Sequence, residues 1–309
     1  MLKQRAKLYA NIRSFFAERD VLEVDTPILS SAANCDINVD SFCADSNYYL
    51  QTSPEFAMKR LLAAGMGAIY QISHSFRQAE SGHLHNPEFT LLEWYQPSWS
   101  MAELIQEVSD LLSYCINPTL KQDHLVVREI AYAELFSKTT GLDAHNTSIE
   151  ALRAYTQTQN NPEAEKICGD RLADWLDYIF SMYIQPSLAK DELVIVSYYP
   201  SCQAMLAKLT SDIPAKAIRF EVYYQAVELA NGYEELTDAS HQQQRFEAEL
   251  AERKDNGKAI VPMDQNLIDA LSSGMPACSG VALGLDRLLM LMMNVTSIND
   301  VLSFPIARA

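Results

Sequence analysis

Residues 2–19 set Leu8, Ile12, Phe15 and Phe16 at helical spacing among Lys and Arg, which predicts an opening amphipathic helix with one apolar stripe. Val21 to Leu29 (VLEVDTPIL) follows as a predicted strand closed by Pro27, a residue tolerated at a sheet edge but not in a central ladder. Tyr48 to Leu50 reads as a strand that runs through Ser53, Pro54 and Glu55 into a helix over Phe56 to Ala64. Ser53 suits the N-cap, Pro54 the first turn and Glu55 the positive end of the helix dipole, so capping alone accounts for all three. Apolar runs at Ala68 to Phe76 and Glu88 to Tyr95 flank a polar loop holding Ser81, Gly82 and Asn86-Pro87, the pattern of an antiparallel hairpin with a long connection.

Met101 to Cys115 predicts another amphipathic helix, and Val126 to Phe136 a strand followed by a short helix. Residues 141–190 are polar and helix-leaning and read as a helical insertion; Trp175, Tyr178, Ile179 and Tyr183 recur there at helical spacing, the mark of core packing. Val194 to Tyr198 is an apolar strand, Ser201 to Leu209 a short helix, and Arg219 to Leu229 (RFEVYYQAVEL) alternates as a strand. Glu221 and Glu228 point to opposite faces of a regular strand, so a shared metal site needs a bulge or turn between them, most naturally at Gln225 to Val227. A charged helix follows, then a helix over Asn266 to Leu271 ending near Gly274. Cys278 to Met293 closes the pattern: small residues at Gly280, Ala282 and Gly284 permit close backbone approach, and a helix starts near Asp286-Arg287.

Composition narrows the class. Of the 309 residues, 48% are apolar and 21% charged, which fits a globular enzyme with a sizeable core. Lys and Arg number 24 against 40 Asp and Glu, a formal charge of -16 that disfavours binding to a nucleic-acid backbone and favours a basic protein or a small cationic substrate. The six cysteines lack C-x-x-C spacing, so neither a zinc site nor a disulfide framework is expected. Without a membrane-length apolar run or a signal-peptide core, the expectation is a soluble cytoplasmic protein with no membrane partner.

The candidate chemistry gathers at the hairpin mouth, where Arg77 ends one strand and His85, Asn86 and Phe89 begin the next. A guanidinium can clamp a phosphate bidentately and an aromatic face can stack on a purine, so the cluster suits a nucleotide. A hairpin with a solvated loop is the plainer alternative.

Phe76-Arg77 followed by His85-Asn86-Pro87-Glu88-Phe89 resembles motif 2 of the class II aminoacyl-tRNA synthetases. Thr26-Pro27-Ile28-Leu29 after a long helix resembles motif 1, the dimer interface of that family, and Gly280 through Arg287 resembles motif 3 of its lysine branch with Ala282 in place of the middle glycine. The resemblance implies an α+β fold, an antiparallel sheet flanked by helices in a single catalytic domain over 1–309. Motif 1 lies at the very start of the chain, so no anticodon-binding OB domain is expected ahead of it. It also implies a homodimer, ATP as co-substrate, Mg²⁺, and activation of a lysine-like amino acid as its adenylate. Within the lysine branch the resemblance is to paralogues that act on a protein, with (R)-β-lysine as substrate, a lysine side chain of elongation factor P as acceptor, and tRNA disfavoured.

By the same resemblance, Arg77 and Arg287 serve the reaction on the phosphates. Gln78, Ala79, Glu80, His85, Asn86, Phe89, Glu228, Leu229 and Gly284 complete the ATP site, and Glu221 with Glu228 hold the metal. Ser53, Pro54, Glu55 and Asn231 orient one substrate amino group, Glu235 takes the distal ammonium, Tyr95 and Tyr233 wall the stem, and Ala282 reshapes the pocket. The family's motif 2 carboxylate is replaced by Ala79, so either the backbone or Glu80 takes over its role. Two other readings stay open: a minimal lysyl-tRNA synthetase-like enzyme serving tRNA or a free acceptor, and a non-catalytic regulatory paralogue that binds ATP or an amino acid.

Overall fold

The computed structural model describes residues 1–120 and 125–309, and the chain divides into two compact units, Met1–His124 with Glu235–Ala309, and Leu125–Glu234. The first unit opens with α1 (Leu2–Ala17), whose stripe Leu8, Ile12, Phe15 and Phe16 is buried as its spacing predicts. The expected strand over Val21 to Leu29 is broken instead into β1 (Leu22–Glu23) and β2 (Leu29–Ser30). Pro27 cannot donate to a ladder, so pairing fails on both sides of it. Strands β3 (Cys43–Asp45) and β4 (Tyr48–Leu50) join β2 in a three-stranded sheet ordered β2-β4-β3. Helix α2 (Glu55–Ala63) follows, then β5 (Ile69–Phe76), β6 (Glu88–Pro97) and α3 (Met101–Leu120).

The second unit runs through β7 (Val126–Ala131), α4 (Tyr132–Thr140), α5 (Ile149–Thr158), α6 (Glu163–Cys168), α7 (Leu172–Ile179), β8 (Glu192–Pro200), β9 (Lys216–Tyr224) and β10 (Val227–Glu234). The 141–190 stretch is largely helical, as its composition suggests. Trp175 and Ile179 are buried, while Tyr178 and Tyr183 both accept hydrogen bonds from the Asn161 amide. Ser201 to Leu209 is not the expected helix: only Ser201–Gln203 forms one 3₁₀ turn. The strands lie in the order β10-β9-β8-β7, and Tyr132 stacks on Phe136 and Phe180 in the core beneath them.

The chain returns to the first unit with α8 (Ala239–Asp255), α9 (Gln265–Gly274), β11 (Cys278–Gly284) and α10 (Leu285–Met292). There the strand order is β1-β5-β6-β11. The antiparallel expectation holds for β5/β6, β6/β11, β8/β9 and β9/β10, whereas β1 pairs with β5, and β7 with β8, in parallel.

Side-chain alternation decides what each sheet face does. Tyr70 and Trp94 sit opposite each other on β5 and β6, and Phe16 of α1 stacks on Tyr70 at 4.4 Å and meets Trp94 edge-on at 5.5 Å. The Trp94 indole donates to Glu107 of α3 at 2.9 Å. Helices α1 and α3 therefore cover that face. The next positions, Glu93 and Tyr95, must project from the other face, together with Phe89 at the same parity. Among the described residues no helix is long and apolar enough to cross a membrane.

Candidate active site

The first unit builds a buried acidic pocket on that second face. Register sets Gly280 opposite Tyr95 and Ala282 opposite Glu93. A Cβ at Gly280 would overlap the Tyr95 ring and come within 2.7 Å of the Glu235 Oε1. Gly280 thus makes room for the pocket wall itself, not for the ligand approach that its sequence context suggested. Ser53 links two elements: its Oγ accepts the Glu55 N–H at 3.0 Å and donates to Glu93 Oε1 at 2.5 Å. Pro54 rather than Ser53 occupies the cap position of α2, so Ser53 acts from one residue further out.

Glu93 also accepts from the Tyr95 hydroxyl at 3.3 Å. Burial pushes the Glu93 carboxyl up to about 8, with the charge of Glu55 adding to the effect. Lys59 is buried too, its Nζ lying 2.7 Å from Glu55 Oε1 and 2.6 Å from Glu235 Oε2. Burial raises the Glu235 carboxyl to about 7 even with Lys59 opposing it. Three carboxyl groups and one ammonium thus share the pocket, and Glu93, pushed up to about 8, holds its proton at pH 7. Beside it a cavity of about 200 Å³ is bounded by Asn34, Thr52, Ser53, Glu55 and Asp264.

Next along β5 and β6 is the hairpin mouth. The Arg77 N–H bonds Pro87 O at 3.0 Å, its Nε donates to Thr52 O at 3.3 Å, and its guanidinium lies 5.1 Å from the centre of the Phe89 ring. Ala79 has a left-handed backbone, φ 58°, an uncommon conformation for a residue with a Cβ. Beyond that turn Glu80 Oε1 comes within 3.6 Å of Arg77 Nη1, so this loop does bring a carboxylate back to the arginine. Gln78 is taken up by backbone, its N–H on Asp40 O at 2.8 Å and its side chain on Ser41 O at 2.7 Å.

Arg287 at the start of α10 reaches the same loop, with Nη2 2.7 Å from His85 Nε2 and Nε donating to Leu84 O at 3.3 Å. Burial and the Arg287 charge hold His85 below its usual range, so the imidazole is neutral at pH 7. Asn86, expected along the nucleotide edge, is structural in these contacts: its amide donates to Glu88 O at 2.6 Å and its oxygen accepts the Ile306 N–H at 3.0 Å. Asp286 is buried, accepting the Thr90 N–H at 2.7 Å and pairing with Arg5 of α1 at 2.5 Å. That pair fixes the helix start from which Arg287 projects. Gly284, the residue before α10, lies opposite Leu91.

The second unit holds Glu221 and Glu228. The expected single strand over Arg219 to Leu229 is a hairpin, turned by Gln225 and Ala226 with φ 53° and 60°. Two positive φ values make the tight primed turn that matches strand twist. Glu228 pairs across the turn with Tyr223, on the face that Tyr223 shares with Glu221, so the turn at Gln225–Ala226 solves the odd offset. A bulge at Leu229 then sets Asn231 opposite Glu221.

Around Glu221 lie Arg219, paired with one carboxylate oxygen, and the hydroxyls of Tyr199 (2.7 Å) and Tyr223, both donating to the other oxygen. Burial raises the Glu221 carboxyl, Arg219 opposes, and the charge of Glu228 adds. Two hard carboxylates that repel each other fit Mg²⁺, which commonly takes one or two carboxylates plus phosphate oxygens. Among the described residues no group of three or more His, Cys, Asp or Glu side chains is placed to hold a metal ion. Arg219 Nε also donates to the Asn231 oxygen at 3.2 Å, and Tyr233 packs in this unit's core with its hydroxyl 3.4 Å from Met205 Sδ.

Sequence reading missed Glu93, Lys59, Arg219 and the Asp286–Arg5 pair. Each leaves a trace: Glu93 interrupts an otherwise apolar strand, and Lys59 stands one helical turn after Glu55.

Residues 1–308 match the tRNA synthetases class II (D, K and N). The chain is 42% identical over 320 residues to proteins named elongation factor P--(R)-beta-lysine ligase from Salmonella paratyphi B (strain ATCC BAA-1250 / SPB7), Salmonella schwarzengrund (strain CVM19633) and Salmonella heidelberg (strain SL476). In each case the match covers 100% of this chain and 95% of the relative.

Proposed function

Because this chain belongs to the class II tRNA synthetases (D, K and N), we propose that it is an ATP-dependent ligase that activates (R)-β-lysine and transfers it to a lysine side chain of elongation factor P. The observation that carries the substrate class is the buried pocket of Glu55, Glu93 and Glu235 around Lys59. The carboxyl groups of Glu55 and Glu235 match the two ammonium groups of a lysine-type amino acid, and a buried ammonium is tolerated only where carboxylates receive it.

Activation joins a substrate carboxylate oxygen to the α-phosphorus and releases pyrophosphate. In the second step the acceptor amine attacks the acyl carbon, an amide forms, AMP leaves and the amine gives up a proton. Neither step needs a covalent enzyme intermediate, so catalysis rests on positioning and charge stabilisation. Arg77 receives the α-phosphate and the substrate carboxylate, Phe89 stacks on adenine, and His85 with Arg287 serves the outer phosphates. Gln78, Ala79 and Glu80 line the base, and Leu229 and Gly284 offer backbone to the nucleotide. Glu235 takes the distal ammonium, Ser53, Pro54, Glu55 and Asn231 orient the other amino group, Tyr95 and Tyr233 flank the stem, and Ala282 trims the pocket beside Glu93. Glu221 and Glu228 hold Mg²⁺, which when bound neutralises charge on the phosphates.

The exposed Leu22, Ile28 and Leu29 around β1 and β2 support a homodimer through this segment. The charge of -16 supports a protein acceptor over tRNA, and the enzyme is read as a cytoplasmic catalytic domain with its helical insertion at 141–190. Pyrophosphate exchange with (R)-β-lysine tests the assignment. Glu235→Gln is expected to lose amino-acid-dependent exchange by at least 100-fold while ATP still binds, and unchanged exchange would remove Glu235 from the pocket.

A further inference from the structure

Lys59 is a buried cation to which none of the recognised motifs gives a task. It follows Glu55 by one turn of α2, and its Nζ bridges Glu55 Oε1 at 2.7 Å and Glu235 Oε2 at 2.6 Å, with the side chain only 2% exposed. The two carboxylates come from distant parts of the sequence, and nothing else shown on either makes an ion pair with both. Through Ser53, which accepts the Glu55 N–H and donates to Glu93, the bridge extends to the third carboxylate.

We propose that Lys59 is a positioning residue for amino-acid activation: by bridging Glu55 and Glu235 it sets their spacing and places a positive charge between them, so that the pocket accepts a substrate with two ammonium groups. This rests on the function proposed above and names what makes its pocket selective. Lys59 does not compete for the substrate seat, because it is enclosed and doubly paired. Its charge is instead what allows three carboxylates to crowd one site. An ammonium taken from water without such partners is costly, and carboxylates packed together without a cation take up protons instead.

The groups facing Glu235 are Lys59 and Glu55 from α2, Tyr95 from β6 and Cys278 from β11. Of these Lys59 alone lowers the Glu235 carboxyl, while burial and Glu55 raise it. Removing the Lys59 charge therefore drives Glu235 to its neutral form at pH 7, and a neutral acid cannot pair with an ammonium.

Lys59→Met keeps the volume and removes the charge, and Lys59→Arg keeps the charge in a larger group. The test measures KM for (R)-β-lysine and for ATP by pyrophosphate exchange from pH 6 to 9. Lys59→Met is expected to raise the amino-acid KM about 10–100-fold at pH 7, one to two decades for one to two pKa units. The deficit shrinks toward pH 9, the KM for ATP stays within about twofold of wild type, and Lys59→Arg recovers part of the loss. An amino-acid KM that is unchanged, or raised equally at every pH, overturns the proposal, as does a parallel rise in the KM for ATP.

If Lys59→Met does not fold, the wild-type profile decides: the amino-acid KM must fall as pH rises through about 7, and a flat profile overturns the claim. Wild-type enzyme that exchanges with no lysine isomer contradicts the proposed function rather than the role of Lys59. Calorimetry with 1,5-diaminopentane then reads that role, with binding lost in Lys59→Met supporting it and equal binding overturning it.

Discussion

Replacing Glu93 by Gln is expected to make the protein more stable and less active at once. Glu93 is 1% exposed, and its carboxyl is pushed from the usual 4.5 up to about 8 by burial first and by Glu55 second. In the folded protein it holds a proton at neutral pH that the unfolded chain releases. The stability it contributes is therefore complete below about 4.5 and is lost as pH rises through about 8. At about 1.4 kcal/mol per unit, the cost at pH 7.5 is on the order of 4 kcal/mol. Gln fills the same space, cannot ionise and removes that cost. With an unfolding entropy of about 2 cal/mol/K per residue, 4 kcal/mol corresponds to a Tm higher by about 6 °C in a chain of this length. The assay is thermal unfolding of both proteins from pH 5 to 9 alongside pyrophosphate exchange. The Tm gap should be near zero at pH 5 and widen toward pH 8, while amino-acid-dependent exchange falls at least 100-fold. A Tm gap that is constant with pH, or reversed in sign, would refute the buried, protonated carboxyl.

Two further changes follow from the register and the ion pairs. Ala282→Gly removes the methyl directly opposite Glu93, and the ratio of α-lysine to (R)-β-lysine activation is expected to rise severalfold; an unmoved ratio removes Ala282 from the specificity wall. Asp286→Asn breaks the pair with Arg5 while sparing the Thr90 N–H bond, and is expected to cost about 3 kcal/mol of stability, read as a lower urea midpoint. It should also lower kcat through the displaced Arg287, and an unchanged midpoint would show that the pair contributes nothing net.

The hairpin of β5 and β6, the start of α2 to within one residue and the β11–α10 turn were all legible in sequence because each is local. Alternation, capping chemistry and small residues act within a few positions. The missing carboxylate at Ala79 left the backbone and Glu80 both open as its replacement; the left-handed turn at Ala79 carries the chain round so that Glu80 comes within 3.6 Å of Arg77, a contact the sequence does not announce. What could not be read is set by contacts across long separations. Lys59 looks like an ordinary helix-surface Glu-Lys partner until Glu235 closes on it from 176 positions away. Gly280 looks like a ligand-approach glycine until the Tyr95 ring is found in the space a Cβ would need. The turn inside Arg219 to Leu229 could be placed at Gln225 to Val227 only by the need to bring Glu221 and Glu228 together, because neither Gln225 nor Ala226 announces a primed turn, which Asn-Gly or Asp-Gly normally does. Pro27 carried its own warning, and the expected strand breaks around it into β1 and β2.

The most direct test offers labelled amino acid, ATP and Mg²⁺ with elongation factor P and lysine tRNA side by side as acceptors. Label on elongation factor P, stronger with (R)-β-lysine than with α-lysine and absent from the RNA, is the result this account predicts. Label on the tRNA, or on neither acceptor despite ATP binding, would contradict it.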